Sequence, residues 1–124
     1  MTNPTIGLTV SAEPRLARLV RMTARNVALL SSMSLERVED VRMAAEEAFV
    51  FACSAAPESP VDISFAVDDA HVGMVFDLGD APFPESSPDD PQSAYADLIL
   101  GSVCDSYERL EHPSRLVLDL KADV

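Results

Sequence analysis

Residues 41–56 read VRMAAEEAFVFACSAA, and the placement of alanine in that run decides how the chain is layered. Val41, Ala45, Ala48, Ala52 and Ala55, with Val38 before them, recur at the three- and four-residue steps of one helix face. A stripe made mostly of alanine permits close approach of another layer. Ser34 is suited to cap the start of this helix, and Glu36 lies where the positive end of the helix dipole favours a carboxylate. Pro57 and Pro60 end it, because proline lacks the N–H that a continuing helix needs.

Working outward, residues 5–10 (TIGLTV) are short and rich in β-formers, and predict a first strand. Glu13-Pro14 opens a helix, since proline is tolerated at the first helical position. Its apolar stripe is Leu16, Leu19, Val20, Thr23, Val27 and Leu30, with Arg15, Arg18, Arg21 and Arg25 beside it, and it ends near Ser31-Ser32. Residues 61–67 and 72–77 alternate in polarity and are joined by Asp68-Asp69-Ala70-His71, the pattern of a hairpin. Between residues 81 and 93, Pro82, Pro84, Pro88 and Pro91 interleave with Glu85, Asp89, Asp90 and serines. That composition predicts a lid-like loop over 82–93. Residues 94–107 predict a third helix with Leu98, Ile99, Val103 and Cys104 inward, and residues 115–121 (RLVLDLK) a closing strand. The order β-α-α-β-β-loop-α-β describes one domain over 1–124. Its expected class is α+β, a two-layer sandwich with a mostly antiparallel sheet and three helices on one face.

Composition bounds the function. With 48% hydrophobic and 24% charged residues the chain is an ordinary globular domain rather than a disordered one. Its apolar runs fall short of a membrane span, and no basic segment precedes residues 5–10, so a cytoplasmic protein without membrane contact is expected. The formal net charge of −12 repels phosphate backbones and argues against direct nucleic-acid binding. Cys53 and Cys104 lie in no CxxC pair and read as buried thiols. His71 and His112 are far apart in sequence, and no metal site is expected.

Two short motifs bear on chemistry. Glu47-Ala48-Phe49-Val50-Phe51 resembles the E-A-x-x-N helix of the ATPase fold shared by sensor histidine kinases, gyrase-type ATPases and anti-sigma-factor serine kinases. Asp77-Leu78-Gly79-Asp80-Ala81 resembles the D-x-G-x-G turn of the same fold. The opening SAEPRLARLVRMTARNVALL (residues 11–30) is similar above all to the last of these groups. The likeness spans roughly residues 5 to 121.

The resemblance implies roles residue by residue. Glu47 takes the place of the glutamate that positions or deprotonates the attacking hydroxyl. Asp77 and Gly79 take the places that hold the adenine. The family's magnesium-binding asparagine is Phe51 here, which offers a hard cation no oxygen. Glu46 is its neighbour but points about 100° away along the helix and is a poor substitute. The family's glycine-rich phosphate cradle falls on Ala94 and Ala96, followed by Asp97. The lid carries three acidic residues and no basic one.

The chain therefore resembles a degenerate member of the anti-sigma-factor kinase group. The implied function is a regulator that binds a sigma factor or its anti-anti-sigma antagonist, with the row Arg15, Arg18, Arg21, Arg25 as contact and a homodimer as its usual state. No cofactor is then expected. The alternative is an active ATP-dependent serine kinase using ATP and Mg²⁺, with Glu47 as base. A third reading is a pocket for a nucleotide without magnesium or a smaller adenine-like ligand. Read from the residues alone, Glu46-Glu47 is equally a solvated acidic patch, and the arginine row a solvated face that offsets nearby acids.

Overall fold

The computed structural model describes residues 5–82 and 91–124. Five strands, β1 (Ile6–Ser11), β2 (Pro60–Val67), β3 (His71–Gly79), β4 (Ser106–Leu110) and β5 (Ser114–Lys121), form one sheet in the order β1-β2-β3-β5-β4. Every pairing is antiparallel. The helices are α1 (Ala17–Ala28), preceded by a 3-10 turn at Pro14–Leu16, then α2 (Leu35–Ala55) and α3 (Pro91–Val103). The α+β two-layer architecture expected from the sequence is the one observed.

The central strands alternate strictly. Val61, Ile63, Phe65 and Val67 of β2, Val72, Met74, Phe76 and Leu78 of β3, and Leu116, Leu118 and Leu120 of β5 are all buried. Since side chains of a strand point alternately to its two faces, these residues line the helix side of the sheet. Across that core, Phe49 and Phe51 of α2 are nearly inaccessible. The α1–α2 seam is built from small groups: Ala17, Val20, Ala24, Val27 and Ala28 on one helix, Ala44, Ala45, Ala48 and Ala52 on the other. Small side chains at a helix crossing let the backbones approach closely, which larger ones would prevent.

Helix ends follow local chemistry. Ser34 Oγ accepts a hydrogen bond from the Arg37 N–H (3.2 Å), and the Ser34 N–H and hydroxyl both donate to the Asp123 carboxylate. The C-terminal residues thus fix the start of α2. The β2–β3 turn is held by Asp68 Oδ1, which accepts from the Ala70 and His71 N–H groups at 2.8 and 2.7 Å. Those bonds hold the Asp68 carboxyl below the usual range.

Four details differ from the sequence reading. Helix α3 stops at Val103, and residues 106–110, expected in part to extend it, form the edge strand β4. The inward residues of α3 are Ala96 and Leu100, with Cys104 just beyond its end, whereas Leu98 is two-thirds exposed. On α1 the inward stripe runs through alanines and valines, and Leu19 and Leu30 point to solvent. Of the expected loop 82–93, positions 83–90 lie outside the described residues, and residues 91–93 open α3. Cys53 and Cys104 are buried free thiols as expected, and burial pushes them up to about 11 and about 12, far above the range where a thiolate forms.

Candidate functional site

The helix motif sits on the part of α2 that faces α3 and the edge of the sheet. Phe51 is 2% exposed, and the guanidinium carbon of Arg109, from β4, lies 4.3 Å from its ring centroid. A cation at that distance over an aromatic face is attracted by the ring quadrupole. Arg109 Nε donates to the Tyr107 hydroxyl (2.9 Å), and a second guanidinium nitrogen donates to Asp97 Oδ1. The Tyr107 hydroxyl donates to the same Asp97 oxygen at 3.0 Å. Burial pushes the Tyr107 hydroxyl above its ordinary range, so it remains a donor. Arg109, Tyr107 and Asp97, from β4 and α3, therefore close a triangle of hydrogen bonds, and Phe51 of α2 packs against its guanidinium.

Neither Tyr107 nor Arg109 is singled out by the sequence motifs. The signal that finds them is the alternation Ser106-Tyr107-Glu108-Arg109-Leu110, followed by a turn at Glu111-His112-Pro113 and the alternating final strand. Tyr107 pairs with Leu118 and Arg109 with Leu116, which puts both on the helix side. Asp97, whose charge reads in sequence as hostile to phosphate, is neutralised here by Arg109.

This clamp has a measurable cost of removal. Arg109→Ala is expected to cost about 2 kcal/mol, from one cation–π contact and charge-assisted hydrogen bonds in a partly solvated place. Asp97→Ala, at a more exposed position, is expected to cost about 1 kcal/mol, and the two losses not to add. Urea midpoints of the two single variants and the double variant check this. Additive losses would show that the two side chains act independently.

Glu47 lies one helical turn before Phe51 and is partly exposed. Burial, and secondarily the neighbouring Glu46, hold its carboxyl above the ordinary range. Among the described residues it makes no hydrogen bond or ion pair. Glu46 is instead committed to structure: it receives Arg21 at 3.0 Å and Arg42 at 3.4 Å.

Asp77 is placed elsewhere. The register sets it beside Asp62 of β2 and Arg115 of β5, on the sheet face turned away from the helices. Its Oδ1 accepts from the Gly79 N–H at 2.8 Å, closing a turn at the β-bulge that ends β3. Gly79 has φ of 66°, and a Cβ built there meets nothing within 4 Å. Glycine is needed at this point for the left-handed backbone rather than for closeness to a neighbour. Glu47 and Asp77 are therefore not brought together. A cavity of about 150 Å³ opens beyond the turn, lined by Gly79, Asp80, Pro82 and the β4–β5 turn. Sites for drug-sized ligands begin near 300 Å³, so this one is small for a nucleotide.

The described residues at these positions differ from the donors that the resemblance implies for magnesium triphosphate. The position of the family's amide oxygen holds a buried phenyl ring capped by an internal cation. Among the described residues no group of three or more His, Cys, Asp or Glu side chains is placed to hold a metal ion. Ala94 and Ala96 lie inside α3 rather than in a loop before it, and the Ala96 N–H falls past the first turn, where N–H groups belong to the helix ladder rather than to a phosphate cradle.

The arginine row is split by the fold. Arg21 turns into the α1–α2 seam toward Glu46, Arg25 reaches Glu39 at 3.6 Å, and Arg15 pairs with Glu13 at 3.2 Å. Arg18 is exposed and has no ion-pair partner among the described residues.

No helix among the described residues is long and apolar enough to cross a membrane. No curated protein matches the chain. Residues 10–109 match the model of one protein family, the histidine kinase-like ATPase domain, from the end of β1 through β4. That span takes in the three helices, the central hairpin and the Phe51–Arg109 cluster, and the chain belongs to the histidine kinase-like ATPase domain family.

Proposed function

We propose that this chain is a regulatory member of its family that works by binding a protein, a sigma factor or its anti-anti-sigma antagonist, and not by phosphoryl transfer. The observation that carries this reading is the Phe51–Arg109–Tyr107–Asp97 cluster, which occupies with protein the place where the family's helix motif meets its metal. Glu47 keeps a raised carboxyl, as a base requires, but it makes no hydrogen bond or ion pair among the described residues. A fold can outlast its original chemistry when the site is rebuilt as packing. The nature of the partner rests on the likeness of residues 11–30 to the anti-sigma-factor group.

Calorimetric titration with ATP and ADP, with and without Mg²⁺, tests the reading. The expected result is no magnesium-dependent heat at millimolar nucleotide. Magnesium-dependent binding that weakens in Asp77→Ala would overturn it. The serine kinase reading would then lead, and Glu47→Ala would abolish transfer of labelled phosphate to a partner serine.

A further inference from the structure

Among the described residues, Ser114 is the only polar or charged one that is buried, at 5% exposure. It opens β5 and shares the inward side of that strand with Leu116, Leu118 and Leu120. A hydroxyl in such a place normally finds a partner, because burying it unpaired is costly. Among the described residues the Ser114 side chain makes no hydrogen bond. Nor is any side-chain oxygen or nitrogen there both sealed from solvent and unpaired. The hydroxyl is therefore reached from outside, and the way in is the cavity of about 150 Å³ that Ser114 lines.

The bulge at the end of β3 makes the space. It sets Ser114 opposite Gly79, which has no side chain to fill it, and a Cβ built on that glycine meets nothing within 4 Å. Pro82 and Pro113 give the cavity apolar walls, and His112 completes the turn beside it. Two carboxylates, Asp80 and Glu111, also line it, and neither makes a hydrogen bond or ion pair among the described residues. No lysine or arginine lines the cavity.

Charge and size select the ligand. A phosphate or other anion would meet two carboxylates without a countercharge. A metal ion is the poorer occupant, because among the described residues no three His, Cys, Asp or Glu side chains are placed to hold one. A cavity near 150 Å³ has room for about six non-hydrogen atoms, the size of benzene. Carboxylates accept and do not donate, and the Ser114 oxygen has its lone pairs unused, so the complement is a small group with N–H donors and positive charge.

We propose that the cavity between the β3 bulge and the β4–β5 turn binds a small organic cation of the guanidinium type. Asp80 and Glu111 meet its charge, and one of its N–H groups donates to Ser114 Oγ. Of these groups only Gly79 belongs to the place that the resemblance gives to adenine, and Asp77 lies on the opposite face of the sheet from Ser114. The site is independent of the proposed protein-binding function. A free small molecule and an arginine side chain of another protein offer the same chemistry.

Ethylguanidine, with about six non-hydrogen atoms, is the probe, and amide NMR spectra of the full chain follow its titration. Saturable shifts are expected at Gly79, Asp80 and Ser114, with half-saturation at about millimolar concentration or below, weakening as salt rises. Ethylurea, a neutral molecule of the same shape, is expected to bind at least tenfold more weakly. Ser114→Ala, a substitution the interior of a strand accepts, is expected to weaken ethylguanidine about tenfold through one lost charge-assisted hydrogen bond. Asp80→Asn/Glu111→Gln, at exposed positions, is expected to do at least as much and to remove the salt dependence. Equal binding of ethylurea, undiminished binding in either variant, or shifts spread over the acidic surface instead of the cavity would overturn the proposal. A capped arginine amide that matches ethylguanidine would identify the ligand as a protein side chain. A capped arginine at least tenfold weaker would identify it as a free small molecule, and both results support the site. The nucleotide titration reads magnesium-dependent binding alone, so its outcome leaves this test untouched.

Discussion

Phe51→Asn, which restores the residue type of the family's helix motif, is expected to lose about 4 kcal/mol of stability and to gain no affinity for magnesium nucleotide. Removing a fully buried phenylalanine side chain typically costs about 3 to 5 kcal/mol through lost transfer energy and the cavity left behind. Asparagine fills part of that volume but buries an amide in the hydrophobic core, where a polar group without a partner is penalised again. It also strips Arg109 of the ring it covers, leaving the guanidinium held only by Tyr107, Asp97 and its other neighbours. A loss of that size is a large part of the roughly 5 to 15 kcal/mol that holds such a domain together. Urea unfolding measures it, and Phe51→Leu, which keeps an apolar side chain, should lose only about 1 to 2 kcal/mol. A Phe51→Asn protein with the wild-type midpoint that takes up ATP with Mg²⁺ would mean that the pocket is intact and blocked by a single ring.

Why the cluster escapes sequence reading is a matter of what periodicity can carry. In the hairpin of β2 and β3 the inward residues are apolar and the outward ones polar, so alternation announces both the strands and their faces. In β4 the inward positions are Tyr107 and Arg109, and the hydropathic alternation is lost although the geometric one is kept. Nor does any glycine or proline mark the stop of α3, because Gly101 falls inside the helix. The alanine-rich seam fails differently. Hydropathy ranks Leu19 and Leu30 above Ala24 and Ala28, but close helix approach selects the small side chains for the interior and leaves the leucines outside. The face on which Asp77 lies was beyond reach for a third reason, since a shift of one residue in strand register moves a side chain to the other side of the sheet. The element order around α2 and the class of the fold were legible because they depend on stripes several turns or strands long.

The second large effect lies at the other end of α2, where Arg37→Ala is expected to cost about 3 kcal/mol. The Arg37 side chain is 15% exposed, and each guanidinium nitrogen is engaged. Nε donates to the Lys121 carbonyl at 2.8 Å. One terminal nitrogen donates to Asp40 and to the Val103 carbonyl, both at 3.0 Å, and the other to Asp105 at 2.6 Å. One residue thus ties the start of α2 to the end of α3, the approach to β4 and the end of β5. Truncation takes one charged donor from each of two carbonyls and two carboxylates and empties the space that the 15%-exposed side chain fills between four elements, and hydrogen bonds to a charged group contribute more than neutral ones. Asp105 connects this network to pH. The Lys121 N–H, at 2.6 Å, and then Arg37 hold its carboxyl below the ordinary range. A carboxyl whose pKa is lower in the folded state stabilises that state fully above its unfolded value of about 3.9, and the contribution is lost as pH falls through the folded value. Urea midpoints followed downward from neutral pH should therefore decline below about pH 4. Asp105→Asn should be less stable than wild type at neutral pH, with the gap closing in acid, because protonation removes from the wild type what the variant already lacks. The largest support for the Asp105 carboxylate is a backbone N–H, so Arg37→Ala should lower the midpoint across the whole range while keeping most of the acid limb. Loss of that limb in Arg37→Ala would show that the guanidinium, rather than the β5 backbone, holds the Asp105 proton equilibrium in place.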